Sequence, residues 1–264
     1  MILSPTNRFV FFKPLKTAGS SVEFALALSC GPNDLIVGGM SGEEQEAGFV
    51  QQNNIRFNPI TGTIELSFHT HTTPEVMKKR FNENDWKEIE TYTWITMTRN
   101  PWDTLVSYYW WSVSQSPEKN KELIIKQSDK RQVAIKKFEK MIFGPVKPLK
   151  GVEPDVFENL NCCDYIQKYN TAQTDKRIDK IIRFENIEKD FENLADELGL
   201  YNVELPRFKT TQKKIKRHYS YYYTDKTKKL VEDKFKEYIE RFDYKFERKN
   251  IHTSSRRKLK RKKK

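Results

Sequence analysis

The chain has 264 residues, 37% hydrophobic and 32% charged, and its 17 Phe, 12 Tyr and 5 Trp supply enough aromatic mass to exclude wholesale disorder. The formal net charge of +12 is concentrated at one end: Arg256–Lys264 holds eight Lys/Arg and no acid, leaving 40 basic against 36 acidic residues elsewhere. No apolar run reaches the ~18 residues of a membrane span, no basic-then-apolar leader follows Met1, and three cysteines, Cys162 and Cys163 adjacent, exclude a disulfide framework and lack CxxC zinc spacing. A reducing compartment fits. The expected organisation is one domain over 1–250 and a basic, disordered tail over 251–264. The tail reads either as a solvated end or as a tether to a polyanion.

Arg8-Phe9-Val10-Phe11-Phe12 reads as a buried strand. Lys13–Ser21 is then a turn with Pro14, Gly19 and hydroxyl residues suited to an N-cap, and Val22–Leu28 continues as a helix. Cys30–Gly48 reads as a loop. Ile55–Phe57 and Thr63–Phe68 flank Asn58–Gly62 as a hairpin, and Thr73-Pro74 opens a short helix as N-cap and N1. A second strong strand over Tyr92–Thr98 ends at Arg99-Asn100-Pro101, where Pro101 starts another helix. Pro117–Lys140 is charged and expected helical, and Gly144–Pro154 is a loop. A third strand, Ile178–Phe184, leads to a helix over Ile187–Leu198 closed by Gly199, and Thr224 caps a last helix over Asp225–Arg241. Strands alternating with helices predict an α/β fold with a mainly parallel sheet flanked by helices.

The first strand–loop–helix is a ready anion site, because unpaired N–H groups of a first helical turn converge where the helix dipole is positive. Lys16 adds a full charge there, Thr17, Ser20 and Ser21 add hydroxyls, and Gly19 permits close backbone approach. A nucleotide triphosphatase fits poorly: GxxxxGK[ST] is absent, the Lys precedes the Gly, and the second strand ends in Arg99 with no Asp for Mg²⁺.

Lys16-Thr17-Ala18-Gly19-Ser20-Ser21 resembles the phosphosulfate-binding loop of sulfotransferases that use 3′-phosphoadenosine 5′-phosphosulfate (PAPS), in their carbohydrate and bacterial-type branch. It departs in having Leu15 where that loop usually has Pro. Arg99-Asn100-Pro101, with Ser107 eight residues after the Arg, is similar to the family's 3′-phosphate motif. Further similarity lies in Ile182–Ile187 and in Arg217–Asp225, and the resemblance runs from about Arg8 to Phe246. It is weakest over Cys30–Phe68 and Ser112–Asp175, segments expected to line the acceptor cleft.

The resemblance implies a P-loop-like three-layer fold and a sulfuryl transfer from PAPS to an acceptor hydroxyl of a carbohydrate. Lys16 would stabilise the bridging oxygen as the bond breaks, the amides of Ala18 to Ser21 would hold the 5′-phosphate, and Arg99 with Ser107 would hold the 3′-phosphate. No metal is required. Arg217 and Tyr219 would help close over the nucleotide, or pack. The base is expected among the histidines. His69 and His71 lie between the Thr63–Phe68 strand and the helix at Pro74, where extended chain would turn both to one side. His71-Thr72-Thr73-Pro74 resembles the family's His-x-Thr-Ala stretch, which favours His71, with His69, a carboxylate, or purely structural histidines that cap the helix as alternatives. Trp102, Tyr108, Tyr109, Trp110 and Trp111 read as core before they read as sugar-stacking. Without a membrane anchor of the kind Golgi relatives carry, a cytoplasmic enzyme is expected. The competing readings are a P-loop-type nucleotide kinase and a non-enzymatic polyanion-binding protein that uses the tail.

Overall fold

The computed structural model describes residues 1–38, 52–58, 63–66, 68–115, 117–118, 120–144, 160–201, 203–208 and 217–249. The chain divides into two compact units, one of Met1–Asn100 with Asp164–Thr211, the other of Pro101–Cys163 with Gln212–Lys264. The tail over 251–264, residues 39–48 of the Gly-rich segment and most of the Gly144–Pro154 loop lie outside the described residues.

The first unit is α/β. An open five-stranded sheet runs in the order β3-β1-β2-β6-β7, with β1 Ile2–Ser4, β2 Phe9–Phe11, β3 Leu35–Ile36, β6 Thr93–Thr98 and β7 Lys180–Arg183. Period-two alternation sends Phe9 and Phe11 to one face and Val10 and Phe12 to the other. On the first face they pack with Val22, Ala25 and Leu26 of α1 (Gly19–Ala27) and Phe191 and Leu194 of α7 (Ile187–Glu197). On the second they meet Met77 of α2 (Pro74–Lys78), Trp86 and Ile89 of α3 (Glu83–Ile89), and Trp94. Helices therefore cover both faces.

The sheet is mixed, which corrects the expected mainly parallel order. β2–β6 and β6–β7 are parallel, whereas β1 pairs antiparallel with both β2 and β3. The reason is local. Met1-Ile2-Leu3 is too short a run to signal a strand, and the turn over Pro5–Arg8, with Arg8 in the left-handed region (φ 53°), is short enough to force an antiparallel return. The expected hairpin forms as β4 Ile55–Asn58 with β5 Thr63–Leu66. Thr73 caps α2 as its composition predicts, its side chain accepting from the Val76 N–H.

The second unit contains α4 (Pro101–Gln115), α5 (Arg131–Ile142), α8 (Asp225–Lys234) and α9 (Lys236–Phe242); α6 (Cys162–Tyr169) runs from this unit into the first. Two expectations change in detail. Pro117–Lys140 holds a 3₁₀ turn at Lys121–Leu123 before α5, and the expected last helix breaks at Phe235 into α8 and α9. Thr224 does cap α8, in a reciprocal capping box with Thr227. No helix among the described residues is long and apolar enough to cross a membrane.

Candidate active site

β2 leaves the sheet after Phe12, whose N–H still donates to Ile95 O (2.9 Å). The loop that follows is the most strained backbone of this unit: Lys16 (φ 61°) and Ala18 (φ 67°) both adopt the left-handed conformation. For non-glycine residues this costs about 1–3 kcal/mol each and collects at ligand sites. Left-handed residues in turns are also where backbone anion nests form. Ala18 occupies the N-cap of α1, with no side-chain cap. The expected capping hydroxyl is therefore absent, and Ser21 N donates instead to the Ala18 carbonyl (3.1 Å).

The loop's hydroxyls divide. Thr17, buried, donates to Pro14 O (3.2 Å), so it braces the turn from inside. Ser21 is buried and its Oγ accepts from Phe208 N (3.2 Å). Ser20 and Lys16 are half-buried at the loop surface. Gly19 is needed for close approach, because a Cβ there would sit 2.4 Å from Lys13 Cγ. Asn170 Oδ1 accepts from Leu15 N (2.7 Å) and clamps the loop from below.

Because β2, β6 and β7 run parallel, their carboxyl ends share one edge of the sheet. Arg99 leaves β6 there, and its Nη1 donates to Lys16 O at 2.8 Å. Its guanidinium lies 3.8 Å over the Phe184 ring at the end of β7, a stacking that fixes the plane of the fork. Glu185 accepts from Asn100 N at 2.7 Å. Lys16 and Arg99, far apart in sequence, are thus brought together. Ser107 stands on α4 in the second unit, half-buried.

His69 and His71 meet, but not by extended chain. Residues 69–72 form a turn, Thr72 N donating to His69 O (2.9 Å), and the two rings lie 5.6 Å apart. Tyr169 packs on both, at 5.9 and 6.4 Å. His71 Nδ1 lies 2.8 Å from Lys13 O. A carbonyl only accepts, so Nδ1 carries the proton and Nε2 holds the lone pair. His69 has the opposite tautomer, since its Nδ1 accepts from His71 N (3.2 Å). Burial, and next the Lys13 charge, hold the His71 pKa well below its ordinary 6.5. His69 is lowered by burial, the Met1 ammonium and Lys13. Both shifts favour the neutral ring, and the basic nitrogen of His71 is Nε2.

No family model, curated protein or solved structure matches the chain.

The aromatic run of α4 packs as core: Trp102, Tyr108, Tyr109 and Trp110 are buried, with Trp111 half-buried beside them. Arg217 stacks on Tyr221 (4.3 Å), and the buried Tyr219 accepts from Glu247 N through its hydroxyl (2.7 Å). Both contacts lie within their own unit. Among the described residues no group of His, Cys, Asp and Glu is arranged to hold a metal. Sequence reasoning passed over Lys13, Glu23, Asn170, Phe184 and Tyr169. Lys13 and Phe184 flank the motifs themselves; nothing local marks the others.

Proposed function

We propose that this chain is a PAPS-dependent sulfotransferase with a P-loop-like fold, acting in the cytoplasm on a hydroxyl of a carbohydrate. The observation that carries the reading is the strained loop at Lys16 and Ala18 with the Arg99 guanidinium 2.8 Å from its backbone. Two cations beside a left-handed loop that opens a helix, at one sheet edge, suit a doubly phosphorylated nucleotide better than a single phosphate.

In this reading the 5′-phosphate sits on the amides of Ala18 to Ser21 and the 3′-phosphate on Arg99. Ser107 enters on its motif spacing alone. The acceptor hydroxyl gives its proton to His71 Nε2 as its oxygen bonds to sulfur. The bond between sulfur and the phosphate oxygen breaks with its electron pair on the nucleotide, and Lys16 stabilises that developing charge. His71 suits the base better than His69, because only His71 offers an unprotonated Nε2. No step calls for a metal.

Isothermal titration with 3′-phosphoadenosine 5′-phosphate and with ATP tests the reading. Preference for the former, lost in Arg99→Ala, supports it. Equal affinity for the two nucleotides, or preference for ATP, refutes it in favour of a kinase. Function that survives Arg99→Ala and Ser107→Ala but fails on removal of the Arg256–Lys264 tail points to a polyanion-binding protein. A screen of oligosaccharides, lipid-linked glycans and small alcohols with labelled PAPS then identifies the acceptor.

A further inference from the structure

Behind the loop lies a cluster of buried charge that the reaction above does not use. Glu23, on α1, is fully buried, and its carboxylate pairs with the Lys13 ammonium on one oxygen and the Met1 ammonium on the other. Two glycines make room for it. A Cβ on Gly38 would fall 2.2 Å from Glu23 Oε2, and one on Gly19 would strike the Lys13 stem. Both residues also hold the histidine turn, Lys13 through its backbone and Met1 through its ammonium: the Lys13 carbonyl accepts from His71 Nδ1 (2.8 Å), and the Met1 ammonium donates to Thr70 O (3.0 Å). Thr70 is the residue between the two histidines.

We propose that Glu23 and Lys13 form a positioning pair that fastens the His69–Thr72 turn to the nucleotide loop and aims Nε2 of His71 at the acceptor oxygen. The inference rests on the sulfotransferase reading for what His71 does, and on contacts inside the first unit for how it is held. A buried ion pair is seldom the most stabilising solution for a core, and its retention is best explained where it fixes one geometry. Here the geometry fixed is a tautomer. The charged and titratable groups facing His71 are Lys13, His69, the Met1 ammonium and Tyr169. Of these the Lys13 charge acts most strongly on the ring, so the same residue that orients His71 adds to burial in favouring its neutral form.

The test begins with the unaltered full chain, where histidine side-chain ¹⁵N shifts report the tautomer without substitution. His71 protonated on Nδ1 is expected, and protonation on Nε2 overturns the pair. Lys13→Met keeps the carbonyl and most of the stem but removes the charge. In it the His71 titration is expected to move up towards 6.5. Its kcat should fall roughly 10- to 100-fold at neutral pH, with the affinity for 3′-phosphoadenosine 5′-phosphate changed less than about 3-fold. Lys13→Arg should recover part of the loss.

An unmoved His71 titration, or a parallel collapse of nucleotide affinity, overturns the proposal. If Glu23→Gln alone does not fold, the double variant Lys13→Met with Glu23→Gln, which leaves no unpaired lysine, supplies the same readouts. Absence of nucleotide binding in the unaltered protein overturns the functional reading alone, because tautomer and titration are read without nucleotide.

Discussion

The two units keep their polar groups in opposite ways. In the first, Lys13, Glu23 and Asp34 are buried with their charges, and strained Lys16 and Ala18 stand in a loop between sheet and helix. In the second, the buried polar side chains among the described residues are only Thr104, Ser220 and Thr227, and the core is aromatic. There Phe138 meets Tyr109, Tyr222 and Tyr223 at 5.6, 5.7 and 5.1 Å. Left-handed non-glycine backbone also differs in kind: in the second unit it is Asp243, an ordinary helix C-cap. Burying a charge costs several kcal/mol, which pairing only partly offsets, and a strained loop adds to that. One unit carries those penalties and the other is built for packing. The lesson is that chemistry is to be sought in the first.

That contrast can be broken at several points. Glu23→Gln should destabilise by about 3–5 kcal/mol, because it strands buried ammonium groups. Phe138→Ala should cost a similar ~3–5 kcal/mol by opening a cavity. The causes separate in denaturant titrations: adding Lys13→Met should restore much of the first loss and none of the second. Lys16→Ala should lower sulfuryl transfer about 10²- to 10³-fold, measured with labelled PAPS, while leaving the fold intact by circular dichroism.

Arg99→Ala should weaken calorimetric binding of 3′-phosphoadenosine 5′-phosphate by roughly 10- to 100-fold, the worth of one or two charge-assisted hydrogen bonds. The His71 pKa is lowered in the fold, so below the ordinary value of 6.5 the unfolded chain binds more protons than the folded one. Stability should therefore fall as pH drops below 6.5 towards the folded value, by at most about 1.4 kcal/mol per pH unit from this ring. His71→Gln should flatten that part of the curve, and a curve equally steep in the variant would refute the assignment. The smallest effect belongs to the second unit, where Thr224→Ala should cost about 1 kcal/mol through its capping box, read as a lower thermal midpoint.

Much of the candidate site was legible. Lys16, Gly19 and Arg99 stand at strand ends with punctuating residues, and the strand–loop–helix pattern announces itself over a dozen residues. The position of the histidines was legible too, though not their geometry: alternation suggested extended chain, and a turn at Thr72 brings the rings together instead. The hydrogen-bond partner of Thr17 was not legible for a related reason. A hydroxyl in a loop can serve a ligand or the loop, and only the fold shows it donating to Pro14.

By itself the sequence determined what short-range physics controls: β2, β6 and β7 from apolar runs, the Thr73 and Thr224 caps, the helix stop at Gly199, and the concentration of charge in Arg256–Lys264. Tertiary structure decided what depends on distant partners. It added β1 and made the sheet mixed, set Arg99 against Lys16 across 83 residues, and paired Glu23 with Lys13 and Met1. Local pattern records the preferences of neighbouring residues. A buried charge is stabilised by whatever the fold brings to it, and that is written nowhere near it in the chain.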